Sequence, residues 1–143
     1  MKSPLLAGAV GAVTTNLLHE IVRRSVPDAP RVDLLGMQAL SKLVATQTEP
    51  PKGRNLYFLT LAGDLLSNAV YFSLIGIGPR AHAVKLGMFV GTLAGIGAVV
   101  LPGPLGLSET PTSRTRKTEM LTVALYAAGG LATGIALRPS ATP

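Results

Sequence analysis

Apolar and polar positions in this chain are gathered into blocks. Four apolar runs lie at about 4–22, 56–77, 83–101 and 119–137. Each has close to the roughly 20 residues that an α-helix needs to cross the hydrocarbon core of a bilayer. A soluble domain of this length has too little interior to bury four such runs. The pattern predicts an all-α integral membrane protein with four transmembrane helices in an antiparallel bundle, as a single membrane domain over 1–143.

The second run carries the clearest departure from apolar character. At a period of 3.6, Thr60, Asp64, Ser67, Asn68 and Tyr71 fall along one face, and the other faces are Leu, Ala, Val and Phe. Asp64 lies nine residues from Asn55, roughly 13 Å into the run at 1.5 Å per residue. A carboxylate at that depth is costly in lipid, so it should face protein or water. The first run has a matching polar face. Asn16, His19, Glu20 and Arg23 recur at spacings of three and four. Asn16 is roughly 10 Å and His19 roughly 6 Å from Arg23 along the helix. Asn16, His19 and Glu20 are therefore expected to meet Thr60, Asp64, Ser67 and Asn68 across one helix pair, as a polar seam. His82 and Lys85 would stand at the other end.

Between the first two runs, Pro27 and Pro30 interrupt any helix. Asp33 is placed to N-cap a short helix to about Ala45. Its stripe of Leu34, Met37, Leu40 and Val44 predicts a short amphipathic interfacial helix over about 33–45, with a soluble cap as the competing reading. The segment 46–54, with Pro50, Pro51 and Gly53, reads as a linker. The short turn around Pro79 predicts a hairpin of the second and third runs. Gly87, Gly91 and Gly95 recur every fourth residue in the third run, and Gly130 and Gly134 do so in the fourth, predicting helix-packing faces. The tail 138–143 is expected to be disordered.

Composition sharpens the class. The chain has 143 residues, of which 48% are hydrophobic and only 14% charged, against roughly 25% charged in soluble domains. The net charge is +6, which raises nucleic acid as a partner. The basic residues lie in loops, aromatics are 4%, and no aromatic-rich RNA-binding strand is present, so membrane lipid and orientation explain the charge and nucleic acid is not expected. Nine basic residues (Arg23, Arg24, Arg31, Lys42, Lys52, Arg54, Arg114, Arg116 and Lys117) fall on one side and Lys2, Arg80, Lys85 and Arg138 on the other. The positive-inside rule then places both termini outside, in a bacterial inner (plasma) membrane. Charge heavier after the first run than before it argues for a retained span over a cleaved signal peptide.

Candidate chemistry is sparse. With no cysteine and two histidines, disulfides, thiolate metal sites and thiol nucleophiles are excluded. His19-Glu20 opens like a zinc helix, but the second histidine is missing. No nucleophile elbow and no phosphate-binding glycine loop is present, so no metal, cofactor or catalytic group is expected. Two functions fit. One is transport or permeation of protons, cations or a small polar solute through the seam. The other is a non-catalytic accessory subunit of a larger membrane complex, packing through its glycine faces, with the seam a structural hydrogen-bond clasp. A homo-oligomer is compatible with either. A water-accessible cavity reaching Asp64 would favour the first.

Overall fold

A computed structural model describes residues 3–49 and 51–139. Lys2 and residues 140–143, the greater part of the tail expected to be disordered, lie outside them. The described residues are helical and contain no strand. In chain order the helices are α1 (Pro4–Ser25), α2 (Val32–Val44), α3 (Gly53–Ser73), α4 (Ala83–Val100), α5 (Thr110–Ser113) and α6 (Arg116–Leu137). Two 3-10 turns, Leu74–Ile77 and Arg80–His82, join α3 to α4. Four helical segments, Pro4–Ser25, Gly53–Ile77, Arg80–Val100 and Arg116–Leu137, are long and apolar enough to cross a membrane, which is compatible with an integral membrane protein. Their outward faces carry Leu6, Leu17, Leu66, Phe89 and Met120, all more than half exposed, as helices solvated by hydrocarbon require.

The helix ends follow local rules. Pro4 occupies the first turn of α1, where its missing N–H costs nothing, and Arg23 and Arg24 sit in the last turn beside the free carbonyls. Thr115 caps α6 by accepting from the Thr118 backbone N–H at 3.1 Å. Asp33 does not cap α2. Arg31 holds the cap position, and Asp33 sits in the first turn, its carboxylate taken by the Arg31 guanidinium. That bidentate pair outcompetes the weaker backbone cap.

Glycines set which helices touch. On α4, Gly87 lies against the Gly130 carbonyl, Gly91 against Tyr126 and Ala127, and Gly95 against Val123, so successive contacts descend α6 as they ascend α4. No side chain intervenes, and the two backbones meet directly. Gly134 completes the row against Ala83 and Val84. A second set has no regular spacing in the sequence to announce it. Gly8 lies against Ala69 and Ser73 of α3, and Gly11 and Gly129 bring α1 against α6. Thr15 and Thr133 fill the space beside these glycines, and each hydroxyl donates to a carbonyl of its own helix.

The result is a chain of helix contacts, α3 on α1, α1 on α6 and α6 on α4. The expected hairpin of α3 with α4 is loose. The two are consecutive but meet at few points, among them the Tyr71 hydroxyl, which donates to the Val90 carbonyl at 3.0 Å. The turns 74–82 carry the chain across without packing the helices together. Ala7, Phe72, Ile75, Ala83, Tyr126 and Leu137 form the buried apolar core, toward the α3–α4 turn. At the opposite end α2 is fastened by Lys42, whose Nζ donates to the Leu105 carbonyl at 2.7 Å, and by the Arg31 N–H, which donates to the Pro111 carbonyl at 2.8 Å. Asp28 takes the left-handed conformation (φ 62°) and ties this loop to the α5–α6 region, accepting from Arg114 and Thr118. Aspartate tolerates that conformation better than most residues.

Candidate functional site

The α1–α3 pair is pinched at one end and parted at the other. At Gly8 the backbones touch. From Val13 onward α1 presents larger side chains, and α3 answers with Leu65, Leu61 and Tyr57. The space left between them is a cavity of about 310 Å³.

Its floor is a carboxylate held by two amides. Asn16 Nδ2 donates to Asp64 Oδ2 at 2.8 Å, and Asn68 Nδ2 donates to Asp64 Oδ1 at 2.9 Å. Asn16 also donates to the Ala12 carbonyl one turn back, which fixes its rotamer. Among the described residues no Arg or Lys pairs with Asp64. Its carboxyl therefore has only neutral hydrogen-bond partners.

Above the floor stand His19 and Thr60. Both ring nitrogens of His19 and the Thr60 hydroxyl are shielded from solvent and have no hydrogen-bond partner. His19 is held by packing, its ring edge-on to Tyr126 with centroids 5.6 Å apart. Buried polar atoms are normally paired, so three orphans on one cavity are an anomaly that an occupant would resolve. Tyr126 forms a wall from the α6 side, close to Asn68 and to the Asp64 charge.

The rim is charged but internally neutralised. Glu20 accepts from Arg23 and Arg24, both on its own helix, at 2.6–3.0 Å. Asp33 accepts both arms of Arg31 at 2.8 and 2.9 Å. Partial burial pushes the Asp33 carboxyl up, but the hydrogen bonds and charge of Arg31, helped by Arg23, outweigh it and hold the carboxyl below its ordinary range. A carboxyl so depressed stabilises the fold above its ordinary pKa, and the contribution disappears as pH falls through the lower folded value. Thermal unfolding of the purified protein between pH 2 and 6 should therefore show a stability loss below about pH 4 that is shallower in Asp33→Asn. An identical acid limb in the variant would mean that the pair contributes nothing.

Six of the seven seam residues read from sequence line the cavity or brace its floor: Asn16, His19, Glu20, Thr60, Asp64 and Asn68. Ser67 does not. It is exposed, and its hydroxyl donates to the Asp64 backbone carbonyl of its own helix. One residue is 100° of helix, which separates Ser67 from its neighbour Asn68. His82 and Lys85 are exposed at the α3–α4 turn, and Phe72, Ile75 and Leu137 stand between them and Asp64, so the seam does not continue to that end. Tyr126, Tyr57 and Asp33 belong to the site although the seam pattern does not include them. The available signal for Tyr126 is its place four residues before Gly130, on the face of α6 that the glycines mark.

Among the described residues no cluster of three or more His, Cys, Asp or Glu is arranged to hold a metal ion. No family model, no curated protein and no solved structure matches this chain.

Proposed function

We propose that this chain is a four-span antiparallel membrane bundle that binds and passes protons, cations or a small polar solute through the Asn16–His19–Thr60–Asp64–Asn68 site. The observation that carries the reading is the cavity that reaches Asp64 and is lined by His19 and Thr60, whose buried polar atoms have no hydrogen-bond partner. A structural clasp needs neither the space nor the orphans. A charged side chain kept deep in a span without a counter-ion is by default a site of function.

The glycine faces weigh against the accessory-subunit alternative. Gly87, Gly91, Gly95, Gly130 and Gly134 are spent on contacts within the chain. A partner or a second copy would meet the outward Leu and Phe faces instead.

The cavity opens among Arg23, Asp33 and Tyr57, at the end where the basic residues gather. With those residues cytoplasmic in a bacterial inner membrane and both termini outside, access to the site is from the cytoplasm. The α2 helix lies beside that opening with no buried residue, and Leu34 and Leu43 exposed, as an amphipathic helix in the interface would. Toward the outside Phe72 closes the route.

The chain has no cysteine, so a single one reports access without background. Thr60→Cys in sealed inside-out vesicles should react with a small membrane-impermeant thiol reagent, and the same variant in right-side-out vesicles should not. Equal reaction from both sides would exclude one-sided access. No reaction from either side would mean a dry seam, and the accessory subunit would be the better reading.

A further inference from the structure

The cavity's chemistry narrows the occupant. Taking the binding reading above as its basis, we infer that the site takes a protonated primary amine with an apolar body, its ammonium on Asp64, Thr60 and His19.

Charge is the first argument. Three carboxylates face the cavity. Glu20 is paired with Arg23 and Arg24, and Asp33 with Arg31. Asp64 alone has only neutral partners, Asn16 and Asn68. Asp64 is therefore the one carboxylate in the cavity to which a cationic head can be drawn without displacing a guanidinium, and an anion would find every guanidinium named here already taken.

Hydrogen-bond inventory is the second. An ammonium has three donors and no acceptor. Three residues that line the cavity hold acceptors with unused capacity. Each Asp64 oxygen takes one amide N–H and has lone pairs to spare. The Thr60 hydroxyl and both ring nitrogens of His19, buried in the wall, are unpartnered. A bare metal ion would want six or so oxygen ligands or a cluster of His and carboxylates, and no such cluster is present among the described residues.

The walls are the third. Val13, Leu17, Val32, Leu61 and Leu65 line the rest, with the Tyr57 and Tyr126 rings beside them. These surfaces offer an inorganic cation nothing. They suit a hydrocarbon or aromatic body, and the rings add attraction for the cationic head. Val13 and Leu17 are 47% and 58% exposed on the outer surface of α1, so the apolar wall continues to the lipid face. An amphiphilic amine dissolved in the bilayer can reach the cavity along it. A volume of about 310 Å³ is at the low end of ordinary ligand sites, which limits the body to about one ring or a short chain.

The test uses the full chain in lipid nanodiscs and three probes that share a phenylethyl body: 2-phenylethylamine, 2-phenylethanol and 3-phenylpropionate. Calorimetric titration at pH 7 should show the amine binding at least about tenfold more tightly than the alcohol, with no binding of the carboxylate. Asp64→Asn should weaken the amine about tenfold or more and leave the alcohol unchanged, and Thr60→Val should weaken it by a smaller factor. Thr60→Val keeps the test decisive if the Asp64 variant does not fold. Equal affinity for amine and alcohol, or an amine affinity untouched by either substitution, overturns the inference. Proteoliposome flux separates it from its basis. Asp64-dependent proton or sodium flux with no amine binding sinks the amine alone. Asp64-dependent amine binding with no flux of any cation sinks transport and leaves the binding site.

Discussion

Asp64→Asn should keep its stability and lose function, whereas Asp64→Leu should lose function and part of its stability. The two substitutions separate charge from hydrogen bonding. An asparagine at 64 keeps an acceptor for one amide and can donate to the carbonyl oxygen of the other once Asn16 or Asn68 flips, so the α1–α3 link survives. What it lacks is the negative charge and the exchangeable proton. A leucine strands Asn68 Nδ2, whose donation to Asp64 is lost, and Asn16 Nδ2, which keeps only the Ala12 carbonyl. Leaving a buried donor unsatisfied costs about 1–3 kcal/mol. Asp64→Asn is expected within about 0.5 kcal/mol of the parent in detergent thermal stability and at background in a proteoliposome flux assay. Asp64→Leu is expected at background in flux and less stable by about 1–3 kcal/mol. An active Asp64→Asn protein would show that neither charge nor proton is used, and would return the cluster to the role of a clasp.

Gly91→Leu should prevent α4 from packing on α6, and Gly91→Ala should already be costly. A Cβ at 91 would lie 2.5 Å from the Tyr126 carbonyl oxygen, 2.9 Å from Ala127 Cα and 3.1 Å from Gly130 Cα. All three are backbone atoms, so no rotamer change relieves the contact. Overpacking of this kind costs about 1–3 kcal/mol even where neighbours can shift. Two controls bracket the effect. A Cβ at Gly63 would meet nothing within 4 Å, so Gly63→Ala should gain about 0.5–1 kcal/mol from helix propensity alone. Val99→Leu, near the end of α4, should change little. Thermal unfolding of the four variants in one detergent would order them. Equal tolerance of Gly91→Leu and Val99→Leu would mean that α4 does not rest on α6 through its glycines.

Much of this is legible along the chain, and the misses have identifiable causes. The four long apolar helices are readable because each is a continuous apolar block, which a period-free window detects. Their ends are misplaced by about three residues where polar residues continue the helix, as at Arg23–Ser25 and Gly53–Asn55. The meeting of Asn16 with Asp64 is readable because helical spacing and depth coincide in the helix pair. The glycines of α4 stand out at regular spacing in a leucine-rich run. Gly8 and Gly11 do not, because alanine and glycine surround α1 on all sides there and blur any face. The glycine spacing puts Tyr126 on a packing face of α6, but nothing in spacing says that this face lies against α1. Asp33 reads as a cap because its local signature is that of one, and the competitor, Arg31, sits two residues upstream.

The pinch at Gly8 has a mechanical meaning. Helices that touch backbone to backbone at one point and part beyond it form a lever with its fulcrum at that point. Because Gly11 and Gly129 hold α1 to α6, the arm is α3, and from Ala69 to Tyr57 is roughly 18 Å of helix at 1.5 Å per residue. A rotation of about 10° about the fulcrum would move the cavity rim by roughly 3 Å. It would barely disturb the Gly8 contact, and the glycine-locked α4–α6 pair could stay still. The same arm acts in reverse: a body wedged between Leu17 and Leu61 pries at the fulcrum, where the next side chain along α3 is Phe72, the residue that shuts the far side.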